Sequence, residues 1–252
     1  MRIPTAETLR RIDPDPNAVR PIGMIVPPAA GEVPPEARAV YPGLAFRAVG
    51  LGLREMSPAD YARVTEIIGD AAKRLGRSGA CVVGVMGTSL SFYRGAAFNS
   101  RLAEIVAERS GCPASTMSSA IVRALEAVSA RRLAVLTAYE DDVNELLRTF
   151  LQESGFAVQA LHSLRIRAVQ DVAGVSTGAL VEAGRRVLAA AAPADALLIS
   201  CGGLQTIETV AALEAEQPLP VVTSATAGVW DLARLAGMHA SRHGFGRLFE
   251  IG

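Results

Sequence analysis

Three apolar segments of the chain recur in the same order roughly 110 residues further on, and this repeat is the feature that most constrains the fold. Each segment and its counterpart have the composition of a buried β-strand. The pairs are residues 22–28 and 133–139, residues 82–89 and 196–203, and residues 113–118 and 220–225. Such a repeat predicts two similar halves, and chance resemblance between the strands of any α/β protein is the alternative.

Amphipathic helical stretches separate these strand candidates. One helix is predicted from Ser57 and Pro58 to Gly76, because the serine suits an N-cap, the proline a first turn and the glycine a helix end. Its apolar stripe comprises Tyr61, Val64, Ile67, Ile68 and Leu75. A second helix follows the acidic residues 140–142, which suit the positive end of its dipole. Strands that alternate with helices indicate an α/β fold, in which each half has a mainly parallel sheet flanked by helices.

The repeat divides the chain into two halves and a leading segment. Residues 1–20 are polar and broken by prolines, so we expect a flexible N-terminal extension. Residues 21–127, completed by residues 228–252, are predicted to form the first half, and residues 128–227 the second half. Because ligands bind at the carboxyl ends of parallel strands, the active site is expected in the cleft between these halves.

The charge balance argues against two kinds of partner. Lys and Arg total 25 and Asp and Glu total 25, which gives a formal net charge of +0. We expect no nucleic-acid partner, because binding to a phosphate backbone needs a basic surface. No apolar run reaches the roughly 18 residues that a membrane span requires, so we expect no membrane partner and a cytoplasmic location. The sequence leaves the oligomeric state open.

The sequence offers no evident site for a metal or a nucleotide cofactor. Its histidines, His162, His239 and His243, do not form a ligand cluster, and its three cysteines include no CxxC pair. Residues 174–178 fit the G-x-S-x-G pattern of a hydrolase nucleophile, but the preceding segment is a poor strand and Ser176 suits a helix cap. We therefore predict no metal and no cofactor.

The strand ends of both halves place a defined set of groups in the predicted cleft. They are Pro27, Pro28, Gly87, Thr88, Ser89, Tyr139, Cys201, Gly202 and Gly203. Cys201 ends a strand before two glycines and a helical stretch, which favours a working thiol, whereas the other two cysteines are expected to pack. The hydroxyls of Thr88 and Ser89 can hold an oxyanion, cap the next helix or do both, and Tyr139 offers a phenolic donor.

Six segments of the chain together resemble the arylmalonate decarboxylase family. They are PIGMIVPPAAG (21–31), YPGLAFRAVGLGL (41–53), MGTSLSFYRGAAFN (86–99), TAYEDDVNE (137–145), SCGGL (200–204) and HGFGRLFE (243–250). The wider family comprises the aspartate/glutamate racemases and maleate isomerases. Their two-half α/β fold, with a site between the halves, agrees with the internal repeat.

The resemblance implies a cofactor-free decarboxylation of a 2-aryl-2-alkylmalonate to a 2-arylalkanoate and CO₂. On the family pattern, the carboxylate that is retained would lie in a dioxyanion hole of side-chain and backbone donors from Thr88, Ser89, Tyr139, Cys201 and Gly202. The carboxylate that is lost would occupy an apolar pocket formed by Leu53, Met56, Tyr61, Leu90, Val169 and Val172. The aryl group would be bordered by Pro27, Pro28, Ala138 and Gly203.

The resemblance also assigns Cys201 as the proton donor that fixes the configuration of the product. Racemases of the wider family carry a cysteine at both symmetry-related strand ends, whereas this chain has Gly87 at the second end. The two-thiol route to racemisation is therefore absent. Two other functions stay open: a maleate-type cis–trans isomerase with Cys201 as nucleophile, and a non-catalytic protein that binds a small carboxylate.

Overall fold

Two four-stranded parallel sheets form the framework of the computed structural model, which describes residues 20–238 and 241–251. The first sheet contains β1 (Ile22–Val26), β2 (Phe46–Gly50), β3 (Val82–Val85) and β4 (Ala114–Thr116), in the order β2-β1-β3-β4. The second contains β5 (Arg132–Thr137), β6 (Ala157–Ser163), β7 (Ala196–Ser200) and β8 (Val221–Thr223), in the order β6-β5-β7-β8. Because the two orders are equivalent, the prediction of an α/β fold with two similar halves is confirmed.

Helices connect the strands, as parallel pairing requires. They are α1 (Pro35–Val40), α2 (Pro58–Thr65), α3 (Ile68–Arg77), α4 (Thr88–Phe92), α5 (Gly95–Ser110), α6 (Met117–Ala127), α7 (Asp141–Glu153), α8 (Thr177–Ala190), α9 (Ile207–Glu216) and α10 (Ser224–Leu235), with 3₁₀ helices at Val169–Gly174 and Arg247–Glu250. The Ser176 hydroxyl accepts the Ala179 N–H at 3.2 Å and caps α8. The expectation that Ser176 is a helix cap is therefore confirmed.

Strands β2 and β6 are less buried than the other strands, which explains why the sequence repeat omits them. Strands β1, β3 and β7 are buried along their whole length, and each is an almost continuous apolar run. Strands β2 and β6 lie at the sheet edges and are mostly half-buried. Polar residues such as Arg47 and His162 interrupt their apolar pattern. A half-buried edge strand therefore gives a weaker sequence signal than a buried strand.

The single helix predicted from Ser57 to Gly76 is two helices in the structure. The Ser57 hydroxyl accepts the Asp60 N–H at 3.4 Å and caps α2 as predicted. The chain then breaks before α3, and Ile67 in that break is 44% exposed rather than part of the apolar stripe. Gly76 lies inside α3, where a Cβ atom would overlap the carbonyl oxygen of Ser110 on α5. Its role is close helix packing and not helix termination.

Helix α10 follows the last strand of the second sheet but packs against the first half. Leu232 covers Gly84 of β3, where an added Cβ would lie 2.7 Å from the leucine Cδ1. Asp231 is 2% exposed and accepts hydrogen bonds from Arg123 Nε at 2.6 Å and from Ser115 Oγ at 2.6 Å. These contacts support the proposed division, in which the C-terminal residues complete the first half.

Two predictions concern the chain's leading segment and its location. Residues 1–19 of the predicted N-terminal extension lie outside the described residues. Within the described residues, no helix is long and apolar enough to cross a membrane. The cytoplasmic location stays a prediction.

We expect Gly76→Ala to lower the free energy of unfolding by about 1–3 kcal/mol, because the new methyl group forces α3 away from α5. Gly69→Ala, in the same helix, is the matched control: the nearest atom to a Cβ there is Arg109 Nε at 3.4 Å. Alanine is the better helix former, so this control is expected to keep or gain stability, by up to about 1 kcal/mol. Urea unfolding followed by circular dichroism measures both variants. Equal stability of the two would contradict the close packing.

Candidate active site

A cavity of about 280 Å³ lies between the carboxyl ends of strands from both sheets. Segments at or directly after β1, β3, β5 and β7 supply much of its wall, as the geometry of parallel sheets leads one to expect. The predicted site residues that line it are Pro27, Pro28, Leu53, Met56, Gly87, Thr88, Ser89, Tyr139, Val169, Val172, Cys201, Gly202 and Gly203. The structure therefore brings the predicted strand ends of both halves together.

Three predicted site residues, Tyr61, Leu90 and Ala138, do not line the cavity. All three side chains are fully buried. Leu90 packs directly behind position 87, since a Cβ at Gly87 would lie 2.8 Å from the leucine Cγ. Ala138 lies just after β5, where its carbonyl accepts the Ile166 N–H at 2.7 Å. These residues belong to the packing around the cavity wall, and their side chains are not at its surface.

The sequence analysis missed part of the wall, most of it in the loop from β1 into α1. The additional lining residues are Val26, Ala30, Glu32, Val33, Pro34, Pro35, Glu36, Met86, Ala173 and Gln205. Prolines in this loop interrupt both helical and strand periodicity, so no pattern marks it as functional. Its position directly after Pro28 is the one signal that points to the site.

Cys201 lies directly after β7 and is 7% exposed. Its backbone N–H donates to Ser224 Oγ at 3.1 Å, which fixes the turn, and its sulfur lies 4.0 Å from Met56 Sδ. Burial raises the pKa of the thiol to about 11, although the backbone N–H groups of Gly203 and Leu204 favour the thiolate. The sulfur is therefore protonated at neutral pH.

Hydroxyl and amide donors lie around the same part of the cavity. Thr88 and Ser89 open α4, but neither hydroxyl caps that helix, so the capping alternative is wrong. Their first-turn amide groups have no intrahelical acceptor. Tyr139 is 1% exposed, its oxygen lies 3.2 Å from Ser200 Oγ, and burial keeps its pKa well above the usual range. These groups can donate hydrogen bonds to an anionic oxygen without carrying charge themselves.

Two loop segments meet across the cleft in a short antiparallel pairing, termed the clasp: residues 54–56 and 167–169. The Met56 N–H donates to the Arg167 carbonyl at 2.9 Å, and the Val169 N–H donates to the Arg54 carbonyl at 3.0 Å. Both Met56 and Val169 line the cavity. The clasp therefore sets the position of apolar wall residues from both halves.

The Arg167 side chain reinforces the clasp by ion pairs to both halves. Its guanidinium lies 3.0 Å from Glu55 and 3.2 Å from Glu140, which directly follows the cavity residue Tyr139. Arg165, two residues earlier, pairs instead with Asp141 at 3.0 Å, within the second half. The two arginines are similarly exposed, so they form a matched pair for testing the link across the cleft.

The described cavity wall contains no Lys, Arg or His side chain. The described residues also contain no group of three or more His, Cys, Asp or Glu side chains placed to hold a metal ion. The polar groups at the buried end are thus one thiol, three hydroxyls and backbone amides. The fold and this cavity define a two-sheet α/β class of protein with a buried cysteine at a strand end of the cleft.

Comparisons with known proteins identify the family. The model of the arylmalonate decarboxylase family matches residues 22–249. Arylmalonate decarboxylase from Bordetella bronchiseptica is 49% identical over 230 residues, which cover 91% of this chain and 96% of that protein. Maleate isomerase from Nocardia farcinica (strain IFM 10152) is 30% identical over 250 residues, which cover 92% and 96%. The chain therefore belongs to the arylmalonate decarboxylase family, and its reaction class is that of a carboxy-lyase.

Solved structures agree with this assignment. A liganded arylmalonate decarboxylase variant, with one glycine changed to cysteine and one cysteine to serine, matches with a TM-score of 0.91 and 47% identity over 92% of this chain and 100% of that one. The maleate isomerase Iso from Pseudomonas putida S16 matches with a TM-score of 0.85 over 92% and 98%, but at 20% identity it shows the fold alone. The resemblance read from the sequence is confirmed.

We expect Arg167→Ala to raise hydrogen–deuterium exchange at the Met56 and Val169 amides about 2- to 10-fold, because two exposed ion pairs are lost, of which the pair with Glu55 crosses the cleft. Arg165→Ala removes a comparable ion pair within one half and is expected to leave both amides unchanged. Mass spectrometry of the peptides that contain these amides measures the effect. Unchanged protection in Arg167→Ala would show that the backbone pairing holds the clasp alone.

We expect alkylation of Cys201 by iodoacetamide to accelerate roughly tenfold per pH unit between pH 8 and pH 10, since only the thiolate reacts. With a pKa of about 11, the thiolate fraction at pH 8 is about 0.1%. A short unstructured cysteine peptide is the control, because its rate levels off above a pKa of about 8.5. The rate is followed by mass spectrometry of the Cys201 peptide. A plateau by pH 9 would contradict the raised pKa.

Proposed function

We propose that the enzyme decarboxylates 2-aryl-2-alkylmalonates to 2-arylalkanoates and CO₂, through an enediolate that Cys201 protonates. The observation that carries the proposal is the asymmetry of the cleft. Strands β7 and β3 hold equivalent places in the two sheets, and their ends place Cys201 and Gly87 in the same cavity. A single thiol supplies a proton to one face of an intermediate and leaves the other face without an acid.

The hydroxyl and amide donors are proposed to hold the retained carboxylate. Loss of CO₂ leaves the bond's electron pair on the substrate as an enediolate, whose negative charge lies on two oxygens. Thr88, Ser89 and Tyr139 line the cavity and supply hydroxyl donors, and the backbone N–H groups of Ser89 and Gly202 complete the dioxyanion hole, since the Cys201 N–H already donates to Ser224 Oγ. One such donor contributes about 2.7–4 kcal/mol to transition-state stabilisation in other enzymes. Several donors together lower the barrier without a cofactor.

The carboxylate that leaves is proposed to lie against the apolar wall. Leu53, Met56 and Val172 are 6%, 4% and 2% exposed, and together with Val169 they form the apolar surface of this part of the cavity. A carboxylate placed there loses its hydration without gaining a charged partner. Release of this carboxylate as neutral CO₂ removes the desolvation cost, so the apolar wall destabilises the bound substrate relative to the transition state.

Cys201 is proposed to complete the reaction by donating its proton to the enediolate carbon. The raised pKa keeps the proton on sulfur until a strongly basic carbanion forms beside it. The resulting thiolate then takes a proton from water, which restores the starting state. The maleate-isomerase alternative requires the thiolate as nucleophile before any reaction begins, and burial opposes that form. The geometry therefore supports proton donation better than nucleophilic addition.

We expect Cys201→Ser to lower kcat for 2-methyl-2-phenylmalonate by about 10²- to 10⁴-fold, because a hydroxyl is a much weaker acid than a thiol. Cys112→Ser is the control, since Cys112 is buried away from the cavity and its thiol donates to the Ala80 carbonyl at 3.0 Å. CO₂ release by chelator-treated protein measures the rate, and chiral chromatography measures the product ratio.

Four other results would each contradict a different part of the proposed function. A rate for Cys201→Ser equal to that of the unmodified enzyme would remove Cys201 from the mechanism. Loss of activity after chelator treatment would contradict a cofactor-free reaction. Conversion of maleate to fumarate without any decarboxylation would establish the isomerase alternative. Binding of arylmalonates with no turnover would establish a non-catalytic binding protein.

A further inference from the structure

Within the part of the chain that the structure describes, the outer part of the cavity, termed the mouth, carries two polar side chains without a hydrogen bond or an ion pair. Glu32 and Gln205 line the cavity and are exposed, and within the described residues neither side chain has a hydrogen bond or an ion pair. They come from opposite halves, Glu32 from the loop after β1 and Gln205 from the segment after β7. The mouth therefore offers hydrogen-bond acceptors from both sides.

Glu36 gives this part of the wall a fixed geometry. It is 3% exposed, lines the cavity and lies near the backbone N–H of Thr206, which favours the ionised carboxyl. Thr206 directly follows Gln205 and precedes α9, so the contact joins the first half to the segment that carries Gln205. Burial raises the pKa of the Glu36 carboxyl. Glu36 thus links the two segments that form the mouth, one from each half.

The described cavity wall does little to compensate the negative charge of a malonate substrate. A malonate carries two negative charges, yet the described wall contains no cationic side chain and includes Glu32 and Glu36. Carboxylates near a dianion oppose binding. A positive or hydrogen-bond-donating group elsewhere on the substrate would reverse that effect, provided that it lies next to Glu32.

The exposure of the lining residues indicates where such a group would lie: on the edge of the aryl ring opposite the malonate carbon. The reacting end, around Cys201 and Ser89, is 7% and 6% exposed. Pro28 and Gly203, proposed to border the aryl ring, are already exposed, and Gln205 lies two residues beyond Gly203. A ring whose malonate carbon faces Cys201 therefore directs its opposite edge toward the mouth.

We infer that this site selects arylmalonates whose ring bears a hydrogen-bond donor, most favourably an ammonium group, at the position remote from the malonate carbon, and that Glu32 and Gln205 recognise it. The inference rests on the proposed function and names its substrate class. Glu32 supplies the charge-assisted contact and Gln205 a second acceptor through its amide oxygen. The buried end of the cavity performs the same chemistry on every substrate, and the mouth distinguishes among them.

The test compares 4-(aminomethyl)phenylmalonate with 4-ethylphenylmalonate, which have nearly the same shape and differ in the donor. We expect kcat/KM to favour the aminomethyl substrate about tenfold in low salt, with a smaller ratio at high ionic strength. Glu32→Gln is expected to remove most of the preference, and Gln205→Leu part of it. Glu208→Gln is the control: Glu208 lies on α9, bonds to Thr177 at 3.2 Å and does not line the cavity. It is expected to keep the full ratio.

Calorimetry with 4-(aminomethyl)phenylacetate and 4-ethylphenylacetate separates this inference from the proposed function. These compounds bind without turnover, so their affinity ratio reports on the mouth even if no arylmalonate is decarboxylated. Equal affinities and equal kcat/KM values, or a preference for the ethyl compounds, would overturn the inference. A preference that survives in Glu32→Gln and Gln205→Leu would also overturn it, because the selecting groups would lie elsewhere.

Discussion

The burial of the Cys201 sulfur among uncharged groups is the constraint on which the chemistry depends. A neighbouring lysine, arginine or histidine would lower the pKa of the thiol and produce a nucleophile. Here the wall offers Met56 at 4.0 Å from the sulfur and backbone N–H groups, and desolvation outweighs those amides. The same absence of charge that keeps the proton on sulfur also leaves a departing carboxylate unpaired. One property of the cavity thus serves two steps of the proposed reaction.

The position of the sulfur follows from the sheets and from small residues at the strand ends. Parallel strands direct their carboxyl ends to one edge, so β3 and β7 deliver residues 87 and 201 to the same cavity. Gly202 has to be small, because a Cβ there would lie 2.7 Å from Met117 Sδ. At Gly203 an added Cβ would lie 3.1 Å from Val172 Cγ1, so a larger residue would crowd the apolar wall. Glycine at these positions leaves space for a substrate and keeps the backbone amides accessible.

The sequence predicted those parts of the site that follow from strand order and missed those that depend on loop packing. Residues such as Thr88 and Cys201 are predictable because inner strands of a parallel sheet are continuous apolar runs. Ligands bind at the carboxyl ends of such strands, so the residues that follow each run are candidate site residues. Glu32 lies in a loop with no periodic pattern, and its place at the mouth depends on how that loop folds back over the cavity. The resemblance alone associates Tyr61 with the apolar pocket, and the structure buries it on α2, with its side chain beside Ser89 but outside the cavity lining. The break at Ile67 was equally invisible, because the apolar spacing is compatible with one continuous helix.

The protonated state of Cys201 affects how fast its thiol is oxidised by peroxides. Peroxides react with thiolates, and a sulfur that is both buried and protonated presents almost none of the reactive form. Cys81 is half-buried and lies outside the cavity wall, so oxidants reach it more readily than they reach Cys201. Oxidation is therefore expected to begin at a sulfur outside the cavity and to spare the cysteine that we propose as the proton donor.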